Sequence, residues 1–169
     1  LDHCEVDVGI LLNVGADHNY ENGGKQAYVD AKKKLLKIAK QVIVNRDDNI
    51  CVEMAKSSSG PCLYCGTHRD SDVCLEVQGN KLFMAWDEES GELDLRIQGV
   101  YNHMNAVAAI SALRVLSYTL AEILPHTSVL QLHEGRMHQV LLGGLTCGSV
   151  YATAPDALEG CLGLLSLPF

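Results

Sequence analysis

Val6-Asp7-Val8-Gly9-Ile10-Leu11-Leu12-Asn13 and Gln41-Val42-Ile43-Val44-Asn45 decide the fold. Each is a mostly continuous apolar run rather than an alternating one, the pattern of a strand covered on both faces, as in a parallel sheet. Between them, residues 14–24 carry Gly15, Asp17, Asn19, Asn22, Gly23 and Gly24, which is a loop composition. Residues 25–40 then place Tyr28, Ala31, Leu35 and Ile38 on one helical face, with lysines around the rest. Strand, helix, strand at this spacing is a βαβ unit, whose crossover is right-handed almost without exception. The expected class is therefore α/β, with a mostly parallel sheet flanked by helices.

Working outward, Ser57-Ser58-Ser59-Gly60-Pro61 reads as a loop. Residues 73–77, 81–86 and 93–97 alternate, with turn residues at Gly79-Asn80 and Glu89-Ser90-Gly91, which predicts a small antiparallel meander. Residues 102–118 are rich in alanine and leucine without internal Gly or Pro, the strongest helix signal in the chain. Residues 119–137 read as helix or loop, and 138–142 and 147–152 as strands. Pro155 suits the first turn of a last helix over 155–166. The fresh strand-strand-helix pattern after Gly135 predicts a domain over 1–134 and the start of a second over 135–169. Both ends read as cut: a strand starts at once, and the final apolar pattern stops without a cap.

With 169 residues, 47% hydrophobic and 20% charged, the chain has the composition of a globular protein. A net charge of −8 argues against a phosphate backbone as partner, and 5% aromatics against base-stacking platforms. No apolar run reaches the roughly 18 residues of a membrane span. The opening residues lack a secretory pattern, so the seven cysteines are expected as free thiols in a reducing cytoplasm.

Four places carry potential chemistry. Asn13-Val14-Gly15-Ala16-Asp17-His18 follows the carboxyl end of a buried strand, where open α/β sheets place ligands. Asp17 and His18 there suit a divalent metal or its water, or equally a loop that only hydrogen-bonds backbone. Lys32 lies four residues after Tyr28, beside the apolar face, within reach of a phosphate or metal shell; the alternative is a solvated basic face. Asn102 and Asn105 share one face at a helix start, where Asn102 suits an N-cap or both amides suit a base or ribose edge. Cys62-Leu63-Tyr64-Cys65 is a lone CxxC without a second pair, so zinc is not expected. No GxxxxGK[ST] phosphate loop occurs.

The order and spacing of these segments carry more than each alone. Asn13 to His18, then Ala27-Tyr28-x-x-Ala31-Lys32-x-x-Leu35, then Asn45-Arg46-Asp47-Asp48, Gly99-x-x-Asn102-x-x-Asn105-Ala106-x-Ala108-Ala109 and Gly135-Arg136-Met137 together resemble the Mur ligases. These are the ATP-dependent enzymes that add amino acids to the peptidoglycan precursor. The resemblance runs from about residue 5 to residue 165. With Ala154-Pro155-Asp156-Ala157-Leu158-Glu159, it is most similar to the tripeptide-synthetase type, which adds the third residue.

The resemblance implies that residues 1–134 are the central ATP-binding domain without its phosphate-loop part, and that 135–169 are hinge and the start of the carboxy-terminal domain. It implies His18 as a magnesium ligand and Lys32 as the lysine whose carbamate helps hold a second magnesium. Asn102 and Asn105 would flank the adenine, and Arg136 would reach the ATP phosphates from the hinge. The implied partners are a UDP-N-acetylmuramoyl-peptide and an amino acid, in the cytoplasm, with neither nucleic acid nor membrane. The implied reaction is ADP-forming amide synthesis through an acyl-phosphate, with the 169-residue chain inactive alone. Val150 and Thr153 stand where the family carries Asp and His, which leaves open a diverged, non-catalytic copy.

Overall fold

The computed structural model describes residues 5–15, 24–97 and 99–130, and the backbone of two strands at 138–142 and 145–149. In chain order the elements are β1 (Val6–Leu11), α1 (Lys25–Ile38), β2 (Ala39–Asn45), α2 (Asn49–Ala55), β3 (Cys62–Gly66), β4 (Val73–Gln78), β5 (Lys81–Trp86) and β6 (Glu89–Leu93). Then come α3 (Val100–Val115), α4 (Leu120–Ile123), a 3-10 turn at Leu124–Val129, β7 (His138–Leu142) and β8 (Leu145–Ser149). Strands β1 to β6 form one sheet in sequence order. Strands β1 to β4 run parallel, whereas β4-β5-β6 run antiparallel. The expected meander is therefore the far half of the same sheet. β7 and β8 pair antiparallel in a separate sheet.

Alternation along the strands sorts side chains into two cores. Ile43, Leu63 and Cys65 turn to one face, against Met104, Val107, Ala108 and Ile110 of α3 and Leu120 and Ile123 of α4. Val42, Val44, Cys62 and Tyr64 turn to the other, against Leu36 of α1 and Cys51, Met54 and Ala55 of α2. Burial on both faces is why the β2 segment is an unbroken apolar run. The buried stripe of α1 differs from the predicted one. Leu36 is fully buried with Tyr28, Val29 and Leu35 partly so, while Ala31 is exposed. The stripe is rotated toward Lys32, because the largest side chains take the sheet contact and alanine gains little from it.

One element was not anticipated. α2 is started by Asp48, whose carboxylate accepts from the backbone N–H of Ile50 and Cys51, an N-cap in the usual sense. Of β3 the family resemblance implies only the end, at Cys65-Gly66, and the strand does stop there. Two boundaries also move. Glu89-Ser90-Gly91 is strand rather than turn, and the turn sits at Asp87-Glu88, with Asp87 at φ 51, where short polar side chains are tolerated. α3 begins at Val100 behind Gly99, at φ 102, so Asn102 lies inside the first turn and is not the N-cap. The expected last helix over 155–166 lies outside the described residues.

β3 and β2 are clasped at their carboxyl ends. Asp47 accepts from the backbone N–H of Thr67 at 2.9 Å and from its hydroxyl at 3.1 Å. A Cβ at Gly66 would stand 2.6 Å from Asp47 Oδ1 and 2.9 Å from Arg46 Cβ. Gly66→Ala is expected to force this clasp apart and cost about 1–3 kcal/mol, as small overpackings do. Urea unfolding would show a lower midpoint with an unchanged slope.

Candidate functional site

The chain leaves the sheet after β1, and the backbone groups of residues 12–14 need new partners. Three side chains supply them. Asn45 Nδ2 donates to Leu12 O at 2.8 Å. Lys32 Nζ donates to Asn13 O at 2.7 Å. Asp48 Oδ2 accepts from Val14 N at 3.1 Å. Each comes from a different place: the end of β2, the middle of α1 and the start of α2. The parallel pairing of Leu11 with Val44 sets β1 and β2 in register, which brings Asn45 beside residue 12.

Lys32 is half-buried, and its ammonium also lies 4.9 Å from the centre of the Tyr28 ring, one turn earlier. Its neighbours Ile10, Leu11, Leu12, Asn13 and Leu35 line with it a cleft of about 270 Å³. This cleft sits at the carboxyl end of β1, as the sequence predicts. Lys34, by contrast, is exposed. Cys51 is buried beside Asp48. Burial first, and then the Asp48 charge, push its thiol up to about 12, with Lys32 pulling the other way. The thiol is therefore neutral and unreactive at physiological pH.

At the start of α3, Asn102 is half-buried and Asn105 exposed. His103 between them places Nε2 at 3.0 Å from Ile97 O, so that nitrogen carries the hydrogen. Burial holds the His103 pKa below its ordinary value, the Ile97 bond opposing only in part. α3 and α1 pack on opposite faces of the sheet, so the structure does not bring the two asparagines directly against Lys32. His18, Asp17 and Arg136 lie outside the described residues, as do Val150 and Thr153. Asn45 and Asp48 were quoted for their order but given no role; the signal for them was an Asn and an Asp at the end of a buried strand.

Cys62 and Cys65 occupy positions of opposite parity on β3 and point to opposite faces. They cannot share a metal. Among the described residues no three His, Cys, Asp or Glu side chains gather to hold one.

Residues 1–113 match the family model of the Mur ligase middle domain. The UDP-N-acetylmuramoyl-L-alanyl-D-glutamate–2,6-diaminopimelate ligase of Chlamydia pneumoniae is 28% identical over 169 residues, covering 95% of this chain and 35% of that protein. The ligase of the same name from Pseudomonas syringae pv. tomato is 33% identical over 172 residues, covering 92% and 34%. The crystal structure of MurF ligase from Thermotoga maritima in complex with ADP superposes with a TM-score of 0.80 at 19% identity, over 98% of this chain and 40% of that one. The chain thus spans about a third of the length of the curated relatives it matches.

Two outcomes are expected. Protein purified with zinc should lose it on dialysis, and stoichiometric zinc on Cys62 and Cys65 would contradict the opposed geometry. The lowered His103 pKa means that the folded state favours the neutral ring. Its contribution is present above the ordinary value of 6.5 and is lost as pH falls through and below it. His103→Gln should therefore flatten the fall in stability on acidification, read from melting temperature against pH.

Proposed function

The chain belongs to the Mur ligase family, and from that premise we propose that it is the middle-domain part of an ADP-forming ligase. The ligase adds an amino acid to a UDP-N-acetylmuramoyl-peptide through an acyl-phosphate, in peptidoglycan synthesis. Residues 1–134 are assigned to the central domain and 135–169 to the hinge and the start of the next. The separate β7-β8 sheet supports that division. The observation that supports the functional reading is Lys32, seated at the carboxyl end of β1 beside Asn13 in a cleft, the residue to which the sequence resemblance gives a metal-holding role.

ATP and Mg2+ are the cofactors this reading requires; when bound, they supply the phosphoryl group and offset its charge. The donor chemistry of the cleft is compatible on one condition. A lysine ammonium repels a metal, whereas its carbamate offers two oxygens, so Lys32 must be carbamylated to serve. His18 is assigned as the other metal-facing residue, Asn102 and Asn105 as contacts of the adenine, and Arg136 of the phosphates. Because α1 and α3 lie on opposite faces, the nucleotide must reach across the sheet's edge to meet both sets. Nearly all the catalysis is positioning and electrostatics, so loss of one such element is severe. No helix among the described residues is long and apolar enough to cross a membrane. The family resemblance implies a cytoplasmic enzyme of small substrates, and the acidic net charge does not suit a phosphate backbone as partner.

Val150 and Thr153, where the family carries Asp and His, favour a second reading as a non-catalytic copy. Mg2+-dependent ATP binding by the full-length protein argues against that reading. The direct test is a pair of substitutions in the full-length protein. Lys32→Ala should abolish amide formation, with partial rescue by a short carboxylic acid. Lys34→Ala, on the exposed side, should stay near wild type. Equal small effects of the two on turnover would make α1 a merely solvated basic face.

A further inference from the structure

Asn45 and Asp48 sit three residues apart, and each spends half of its side chain on its own turn and half on the turn after β1. Asn45 Oδ1 accepts from Asp47 N at 3.0 Å while Nδ2 donates to Leu12 O. Asp48 Oδ1 caps α2 through Ile50 N and Cys51 N, both at 2.9 Å, while Oδ2 accepts from Val14 N. Between those two anchors lies Asn13, whose carbonyl receives the Lys32 ammonium. Only Asn45 supplies a donor and only Asp48 an acceptor, matching a carbonyl and an N–H two residues apart.

We infer that Asn45 and Asp48 are positioning residues of the Lys32 site. Together they hold residues 12–14 in the one conformation that presents Asn13 O to Lys32. Neither lines the Lys32 cleft; both act through the backbone of that turn. Their part in turnover rests on the ligase reading above, but their hold on the turn does not.

Isosteric exchanges separate this role from plain folding. Asp48→Asn keeps an oxygen for the α2 cap, since Asn and Asp cap helices about equally, and sets an NH2 against Val14 N–H. Asn45→Asp keeps the oxygen that accepts from Asp47 and sets a carboxylate oxygen against Leu12 O. In the full-length protein, both variants should melt within a few degrees of wild type. Amide exchange at Val14 should be about tenfold faster in Asp48→Asn, the equivalent of one lost hydrogen bond. Trace acylation with acetic anhydride in buffer depleted of carbon dioxide, where Lys32 is the free amine, read by mass spectrometry as labelling of Lys32 relative to Lys34, should rise in both. Turnover should fall mainly in kcat, and Asp48→Glu, which keeps both acceptors, should recover part of it. Unchanged exchange at Val14 and unchanged Lys32 labelling would overturn the inference. So would faster exchange with wild-type turnover, since the turn would then be held to no purpose. If the wild-type protein makes no amide, the ligase reading fails, and exchange and labelling still decide whether the two residues hold the turn.

Discussion

A parallel strand that ends inside a protein must find new partners for its last backbone groups, and at β1 that requirement organises everything nearby. Leu12 O, Asn13 O and Val14 N leave the ladder and are taken by Asn45, Lys32 and Asp48. One contact ties β1 to β2, one to α1 and one to α2. The cleft at the strand end is thus framed by backbone whose position three independent elements agree on. An unpaired backbone group shielded from water costs about 1–3 kcal/mol, which applies to the part-buried ties at Leu12 and Val14 and less to the exposed one at Asn13.

The same end of the sheet explains why a lysine suits the place. Asn13 presents a carbonyl and Tyr28 a ring face, both of which attract a cation, while the stem of the side chain lies along Leu35 and the strand end. Asp48 nearby is occupied by three backbone N–H groups, so the carboxylate stabilises the loop and the helix start. Among the described residues, the amine is thus held by a carbonyl and a ring face.

The βαβ unit was legible because burial on both faces imposes long apolar runs, and Val42-Ile43-Val44 has no other reading. α2 escaped because seven residues starting at an Asp-Asp-Asn stretch show too little periodicity, although Asp48 is a plain N-cap. β3 was legible only at its end, Cys65-Gly66, through the family resemblance, because five residues are too few for a periodicity of their own; alternation places Cys62 and Cys65 in different cores. Glu89-Ser90-Gly91 has turn residues but takes its conformation from pairing with Met84, Ala85 and Trp86, a tertiary constraint invisible in a local window. At the site, the place of Lys32 beside Tyr28 was legible from helical spacing, while its role came only with the family resemblance. Asn45 and Asp48 were not, because a hydrogen bond across 33 or 34 residues has no sequence periodicity.

We propose that this chain is part of a ligase that activates a carboxylate by phosphorylating it. Following oxygen-18 from the substrate carboxylate in the full-length protein tests that most directly. Each amide formed should transfer one labelled oxygen from a doubly labelled carboxylate to the released inorganic phosphate, because the carboxylate oxygen that attacked the phosphoryl group leaves with it when the amine displaces the phosphate. Amide formed with no label in the phosphate would contradict it.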